Sequence, residues 1–205
     1  LSISINKLIK EISNLLENKH RLLLEVSHEL RSPLARMQFL IEMLPDHKNN
    51  IKLRQEVNFL EGMIDNLLLS DRLSMPYSTL SLQKVKTEEI IGRVVELFPI
   101  KRKKIKISNV IPDKEVLVDE TKFVVAIRNL IDNAFKYSNN EPVEINVNCE
   151  DGVEFSIIDS GIGISEENLE KITEPFFQAD ETVTTSGFGL GLTICKKIIE
   201  SHNGK

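Results

Sequence analysis

Four clusters in this sequence combine residue types and spacing that can do chemistry. The first surrounds His28 in VSHELRSPL. At about 100° per residue its imidazole lies roughly 160 to 200° around a helix from Val26 and Leu30, so it faces water. Glu29 follows directly, and Pro33 is expected to kink or loosen the helix just beyond. An exposed imidazole beside a carboxylate is a nucleophile site; standing alone it is also an ordinary surface histidine. The second cluster is NLIDNAFKY, where Asn129, Asn133 and Lys136 share one helix face spanning roughly 60°. Two carboxamides and an ammonium suit a metal ion bound to polyphosphate, although a polar outer face has the same composition. The third is DSGIGIS at 159–165. Gly161 and Gly163 let backbone approach a ligand, and Asp159 can accept from the exocyclic amine of a purine; a plain strand-to-helix turn is the alternative. The fourth is SGFGLGL at 186–192, where Gly187, Gly189 and Gly191 precede a helix whose free amides and dipole can meet a phosphate. A lone GxGxG is weak evidence.

The elements that hold these clusters follow from periodicity. Apolar residues at Ile5, Leu8, Ile12, Leu15, Leu22, Val26, Leu30, Leu34, Met37, Ile41 and Leu44 recur mostly in steps of three and four, with no Gly up to Leu44, which predicts a long amphipathic helix. PDHKNN at 45–50 breaks the pattern, and a second stripe follows at Leu53, Val57, Leu60, Ile64 and Leu67. A lone hairpin cannot cover both stripes, so two copies are expected to pair into a four-helix bundle. Residues 73–86 read as a linker. Beyond it, helices are expected over 88–98, 120–137 (with Asp119 as N-cap), from Ser165 for a short stretch, and over 190–201. Strands are expected over 104–110, 115–118, 143–149 and 153–158, the last two joined as a hairpin at Asp151-Gly152. The fold class is α+β: a helical hairpin, then an α/β sandwich with helices on one face of a mixed sheet.

Composition bounds the function. With Lys+Arg 26, Asp+Glu 31 and a net charge of −5, a general polyanion binder, and so nucleic acid, is disfavoured. KRKK at 101–104 has no interleaved aromatics and reads as a solvated turn. No apolar run approaches the roughly 18 residues of a membrane span, so no membrane contact is expected of these residues. Cys149 and Cys195 lack CxxC spacing, which supports neither a disulfide framework nor a zinc site and fits a reducing compartment. The chain starts at Leu1 rather than Met, so a longer parent protein is expected.

Taken together and in order, the His-Glu helix, NxxxNAxKY, DxGxG and GxGLGL, with Phe176 and Phe177 in EPFFQAD, resemble the sensor histidine kinases of two-component signalling. The resemblance covers nearly the whole chain. It implies a dimerisation and phosphotransfer hairpin over 1–72, a linker at 73–86 that must hinge, and over 87–205 a catalytic ATP-binding domain shared with gyrase and Hsp90-like ATPases, its C-terminal hairpin missing. It implies that His28 is the phosphoacceptor, that Glu29 hydrogen-bonds the other ring nitrogen, and that Ser32 holds the place used for phosphatase activity. Asn133 would hold Mg2+ with Asn129 supporting it, Lys136 would contact phosphate, and Tyr137 would lie against adenine. Asp159, Gly161 and Gly163 would form the adenine wall, with Phe177 from the F box alongside. Gly187, Gly189, Leu190 and Gly191 would close the phosphate side and anchor a lid over 179–186. The implied cofactors are ATP and Mg2+, and the implied partners are a second copy of the chain and a response-regulator receiver domain. The implied location is the cytoplasmic portion of an inner-membrane-anchored bacterial sensor. Besides the missing hairpin the pattern departs in three places: the lid DETVTTS has no Lys or Arg, Gln178 stands where Arg is frequent, and Ser32 stands where Thr or Asn is common. A nucleotide-gated scaffold and a chaperone- or topoisomerase-type ATPase are the other classes. The latter places an acidic residue one turn before the metal-binding Asn, where this chain has Asn129.

Overall fold

The computed structural model describes residues 2–44, 48–74, 80–108, 113–138, 141–149, 152–179 and 189–205. The chain divides into two compact units, Leu1–Ser78 and Thr79–Lys205. Among the described residues no helix is long and apolar enough to cross a membrane.

The first unit is a helical hairpin of α1 (Ser2–Glu42) and α2 (Lys48–Leu73). Helix α1 runs through Pro33 rather than ending there; proline's missing N–H leaves the Glu29 carbonyl without its usual donor. The expected break at 45–50 is shorter, because α2 already starts at Lys48. Residues 45–47 lie outside the described residues. The two helices bury Leu34, Ile41, Val57, Ile64 and Leu68 against one another. Most of the apolar stripe of α1 is not used in this contact: Leu8, Val26 and Leu30 are 57%, 45% and 46% exposed, against 5% for Leu34. Polar pairs tie the hairpin across its surface, with Arg31 Nη2 donating to Asp65 Oδ1 at 2.6 Å and Gln38 Nε2 donating to Glu61 Oε2 at 2.9 Å.

In the second unit, β1 (Gln83–Lys86) pairs antiparallel with β3 (Glu115–Val118), while β2 (Ile105–Ser108) pairs in parallel with β4 (Val143–Asn148), and β4 in antiparallel fashion with β5 (Glu154–Ile158). The three-stranded sheet is therefore mixed. Residues 83–86, expected to be linker, form β1; QKVK carries little apolar signal, and it is the backbone ladder to β3 that makes it a strand. Helix α3 (Thr87–Glu96) follows at once, with Glu88 and Glu89 in its first turn and Arg93 in its last, as the helix dipole favours. KRKK forms a turn of 3-10 helix at Arg102–Lys104 with these three side chains exposed, and the Lys101 ammonium sits 4.6 Å from the Phe135 ring centroid. Helix α4 (Glu120–Tyr137) is capped by Asp119, which accepts from Lys122 N. A short α5 (Glu166–Leu169) and the last helix α6 (Gly191–Ser201) complete the unit.

The core lies between helices and sheet. The inward residues of β4, Val143, Ile145 and Val147, are fully buried, as their alternation requires, and they meet Ile131 and Phe135 of α4 and Ile90 and Val94 of α3. Burying one face of α4 this way leaves its opposite side for the polar residues of NLIDNAFKY. Ile194 and Ile198 of α6 are also fully buried, and α6 packs along α4.

Candidate functional site

Helix α4 presents Asn129, Asn133 and Lys136 as half-buried residues, one to two turns apart. The turn leading into α6 closes on them: a Cβ built on Gly191 would lie 3.9 Å from Asn129 Cβ and from Asn133 Nδ2. These are ordinary contact distances, so a small residue here keeps the wall open. Among the described residues the buried Asn129 Nδ2 has no oxygen or nitrogen acceptor, and the Cys195 thiol of α6 is its neighbour. Burial pushes that thiol up to about 12, with the Asn129 amide acting the other way, so Cys195 stays a neutral thiol and donates to the Ala126 carbonyl at 3.3 Å.

At the C-terminal end of α4 the loop after β5 folds against Tyr137. Asp159 Oδ1 accepts from Gly161 N–H at 2.7 Å, and a Cβ on Gly161 would come within 2.9 Å of the Tyr137 carbonyl. Asp159 is exposed; Gly163 has φ +73° and Tyr137 is 37% exposed. The Lys136 ammonium lies 4.7 Å from the Tyr137 ring centroid.

The third wall comes from EPFFQAD. Phe176 N–H donates to the Gly189 carbonyl at 3.0 Å, and Thr193 Oγ1 of α6 donates to the Thr173 carbonyl at 2.9 Å. Gly189 has φ +65°, and a Cβ there would meet the Phe177 carbonyl at 2.5 Å. Leu190 is 1% exposed and anchors the start of α6, whereas Phe177 is half-buried and Phe176 exposed. Gly187 and residues 180–186 of the expected lid lie outside the described residues. The second unit thus brings Asn129, Asn133 and Gly191 together at one place, and Tyr137, Asp159 and Gly161 at another a turn further along the same helix.

His28 belongs to the first unit and is exposed, with no hydrogen bond or ion pair to its ring among the described residues. The expected contact with Glu29 is not formed, because successive helical residues project about 100° apart. Ser32 Oγ accepts from Arg36 Nη1 at 2.6 Å.

Sequence reasoning missed a buried carboxylate in the hairpin. Asp71 is 5% exposed and accepts from His20 Nδ1–H at 2.6 Å and from Lys19 Nζ at 3.0 Å, both on α1. Its signal was its place three and seven residues after Leu68 and Ile64, on the inward face of α2. A cavity of about 980 Å³ opens elsewhere in the second unit, between β3, β5, α4 and the end of α6; none of the sequence-predicted site residues lines it.

The second unit is thus a mixed sheet covered by helices, with a polar helix face beside two glycine-containing loops. Residues 118–205 match the family of histidine kinase-, DNA gyrase B- and HSP90-like ATPases. The sensor-like histidine kinase SenX3 of Mycolicibacterium smegmatis is 34% identical over 87% of this chain and 50% of its own length. Among solved structures, full-length ShkA in complex with AMPPNP superposes with a TM-score of 0.71 at 27% identity, covering 88% of this chain and 41% of that one. The catalytic domain of the histidine kinase ThkA gives a TM-score of 0.50 at 33% identity over 60% of this chain and 82% of that domain. The chain belongs to the sensor histidine kinases, and it spans about half the length of the curated relatives it matches.

Proposed function

We propose that this chain is the phosphotransfer and catalytic portion of an ATP-dependent protein-histidine kinase that phosphorylates itself on His28 and passes the phosphoryl group to an aspartate of a response regulator. The observation that carries the reading is the closure of Gly191 on Asn129 and Asn133 within a unit of the ATPase family. In the first step a ring nitrogen of His28 attacks the γ-phosphorus of ATP, an N–P bond forms, the bond to the β-phosphate oxygen breaks, and ADP leaves. Glu29, next on α1, would turn its carboxylate toward the ring to accept from the other nitrogen and raise nucleophilicity.

The residues present fit a magnesium–nucleotide group: among the described residues the buried Asn129 Nδ2 donor lacks an oxygen acceptor, which a phosphate oxygen would supply, and the bare Gly191 leaves room beside it. Asn133 would hold Mg2+ through its carboxamide oxygen, with Asn129 supporting it. When bound, the metal neutralises phosphate charge. Lys136 supplies a further positive charge, and glycine amides at the start of α6 receive the phosphates. Asp159 uses Oδ1 on its own loop and keeps Oδ2 for the adenine amine, with Tyr137 against the base and Phe177 nearby. Phosphoryl transfer needs positioning more than covalent chemistry, which suits this set.

The exposed stripe on α1 supports pairing of two copies into a four-helix bundle, which would bury it. The hinge expected over 73–86 excludes 83–86, since those residues are strand. Ser32, its oxygen already accepting from Arg36, keeps its own O–H to align a water for dephosphorylating the regulator. The parent protein would be an inner-membrane-anchored bacterial sensor, this portion lying on its cytoplasmic side. Incubation with γ-labelled ATP and Mg2+ should give acid-labile, alkali-stable label that His28→Gln abolishes while still binding ATP. Label persisting in that variant would overturn the assignment.

A further inference from the structure

Asp119, 6% exposed, engages both carboxylate oxygens. Oδ1 accepts from the Lys122 N–H at 3.2 Å, and Oδ2 accepts from the Ser81 N–H at 3.1 Å and from Lys122 Nζ. Burial would raise this carboxyl, but the Lys122 ammonium and the two backbone donors outweigh burial and hold it below its usual value. The Asp119 N–H donates to His202 Nε2 at 2.9 Å. His202 Nδ1 lies 2.7 Å from the Ile198 carbonyl, which can only accept, so Nδ1 carries the proton and Nε2 is free to accept. The ring is therefore the neutral Nδ1–H tautomer, and it packs edge-on against Phe123 at 6.0 Å.

This joint ties together three pieces of the second unit that are remote in sequence: the chain near its entry at Ser81, the start of α4, and the end of α6. The opposite end of α6 begins at Gly191, against Asn129 and Asn133. Asn133 is about 21 Å along α4 from Asp119 at 1.5 Å per residue, so the joint touches none of the nucleotide-facing groups. A force arriving along the chain at Ser81 nonetheless reaches α4 directly and α6 through His202.

We propose that Asp119 and His202 are positioning residues that lock the chain entering at Ser81 to α4 and α6, so that the segment coming from the hairpin governs how the nucleotide is presented to His28. This rests on the kinase reading above and deepens it. Loss of the lock leaves the ligand contacts intact but loosens presentation, and misplacement by an ångström costs such reactions far more rate than binding.

The test uses the chain itself, with a fluorescent ATP analogue for affinity, γ-labelled ATP at saturation for transfer to His28, and a thermal melt. His202→Phe keeps the ring on Phe123 and removes the acceptor; labelling at saturating ATP should fall by about tenfold with nucleotide affinity nearly unchanged. His202→Gln restores an acceptor and should recover most of the rate. Ser81→Pro removes the N–H that reaches Asp119, at the cost of also fixing the local backbone, and should reproduce the loss. The joint is overturned if His202→Phe labels as the wild type does, or if nucleotide affinity falls in step with the rate, which marks a local prop. A wild-type chain that takes up no label overturns the kinase reading, and the joint's role with it.

Discussion

Gly189→Ala probes the phosphate-side loop where the structure leaves it no slack. The native φ of +65° lies in the left-handed region, where alanine costs about 1–2 kcal/mol. The added Cβ would stand 2.5 Å from the Phe177 carbonyl oxygen and 2.7 Å from the Phe176 carbonyl carbon, whereas ordinary contact begins near 3.4 Å. These neighbours are backbone, so they cannot swing aside as a side chain would. Phe176 is itself held at φ +66°, a conformation a bulky residue tolerates only when its surroundings enforce it. A retreat of close to 1 Å breaks the 3.0 Å bond from Phe176 N–H to the Gly189 carbonyl, worth about 1 kcal/mol. The combined cost is about 2–3 kcal/mol, and it falls on the state that needs the loop in place beside Gly191. At 1.4 kcal/mol per tenfold, the dissociation constant for an ATP analogue should rise by roughly thirtyfold or more. Titration of a fluorescent nucleotide against wild type, Gly189→Ala and Gly92→Ala gives the comparison. Gly92 lies inside α3 with nothing within 4 Å of an added Cβ, so its alanine variant should bind normally and gain about 0.5–1 kcal/mol of stability. Nucleotide affinity in Gly189→Ala within twofold of wild type would refute the reasoning.

Further outcomes follow from the same geometry. Asn133→Asp keeps side-chain size but changes the charge of the proposed metal ligand; it should fold as the wild type does by circular dichroism and lose labelling, and wild-type labelling would move the metal role elsewhere. Regulator dephosphorylation should be present but weak, lost in Ser32→Ala and raised in Ser32→Thr, whose β-methyl restricts the rotamer; equal activity in wild type and Ser32→Ala removes Ser32 from that step. Burial would raise the Asp71 carboxyl, but its hydrogen bonds from His20 and Lys19 outweigh it and lower the carboxyl below 3.8. A lowered carboxyl contributes stability that is present above the unfolded value and lost as pH falls through the folded one. Asp71→Asn should therefore cost about 1–3 kcal/mol at neutral pH and flatten the acid dependence of hairpin melting below about pH 4; parallel acid profiles for the two proteins would contradict this.

What depended on near neighbours in the chain was legible from the sequence. The limits of α4 and β3 are those the pattern predicts, Glu120–Tyr137 and Glu115–Val118, because an N-cap and an apolar period act within a few residues of themselves. The glycine motifs likewise marked the two loops beside α4, since a missing Cβ is a local property. Long-range decisions were hidden. Periodicity showed an apolar arc on α1 but not which part of it α2 would cover, and it is Leu34 and Ile41 that are buried while Val26 and Leu30 stay exposed. QKVK became β1 only through pairing with β3, Gln83 opposite Val118. His20 with Asp71, and Asp119 with His202, join residues 51 and 83 positions apart. The need for glycine at 189 comes from backbone at Phe176 and Phe177, which no local pattern specifies. Local signals set the conformation each segment prefers; only the packed chain sets which groups lose water together, and a buried polar or apolar group takes whichever partner the fold brings to it.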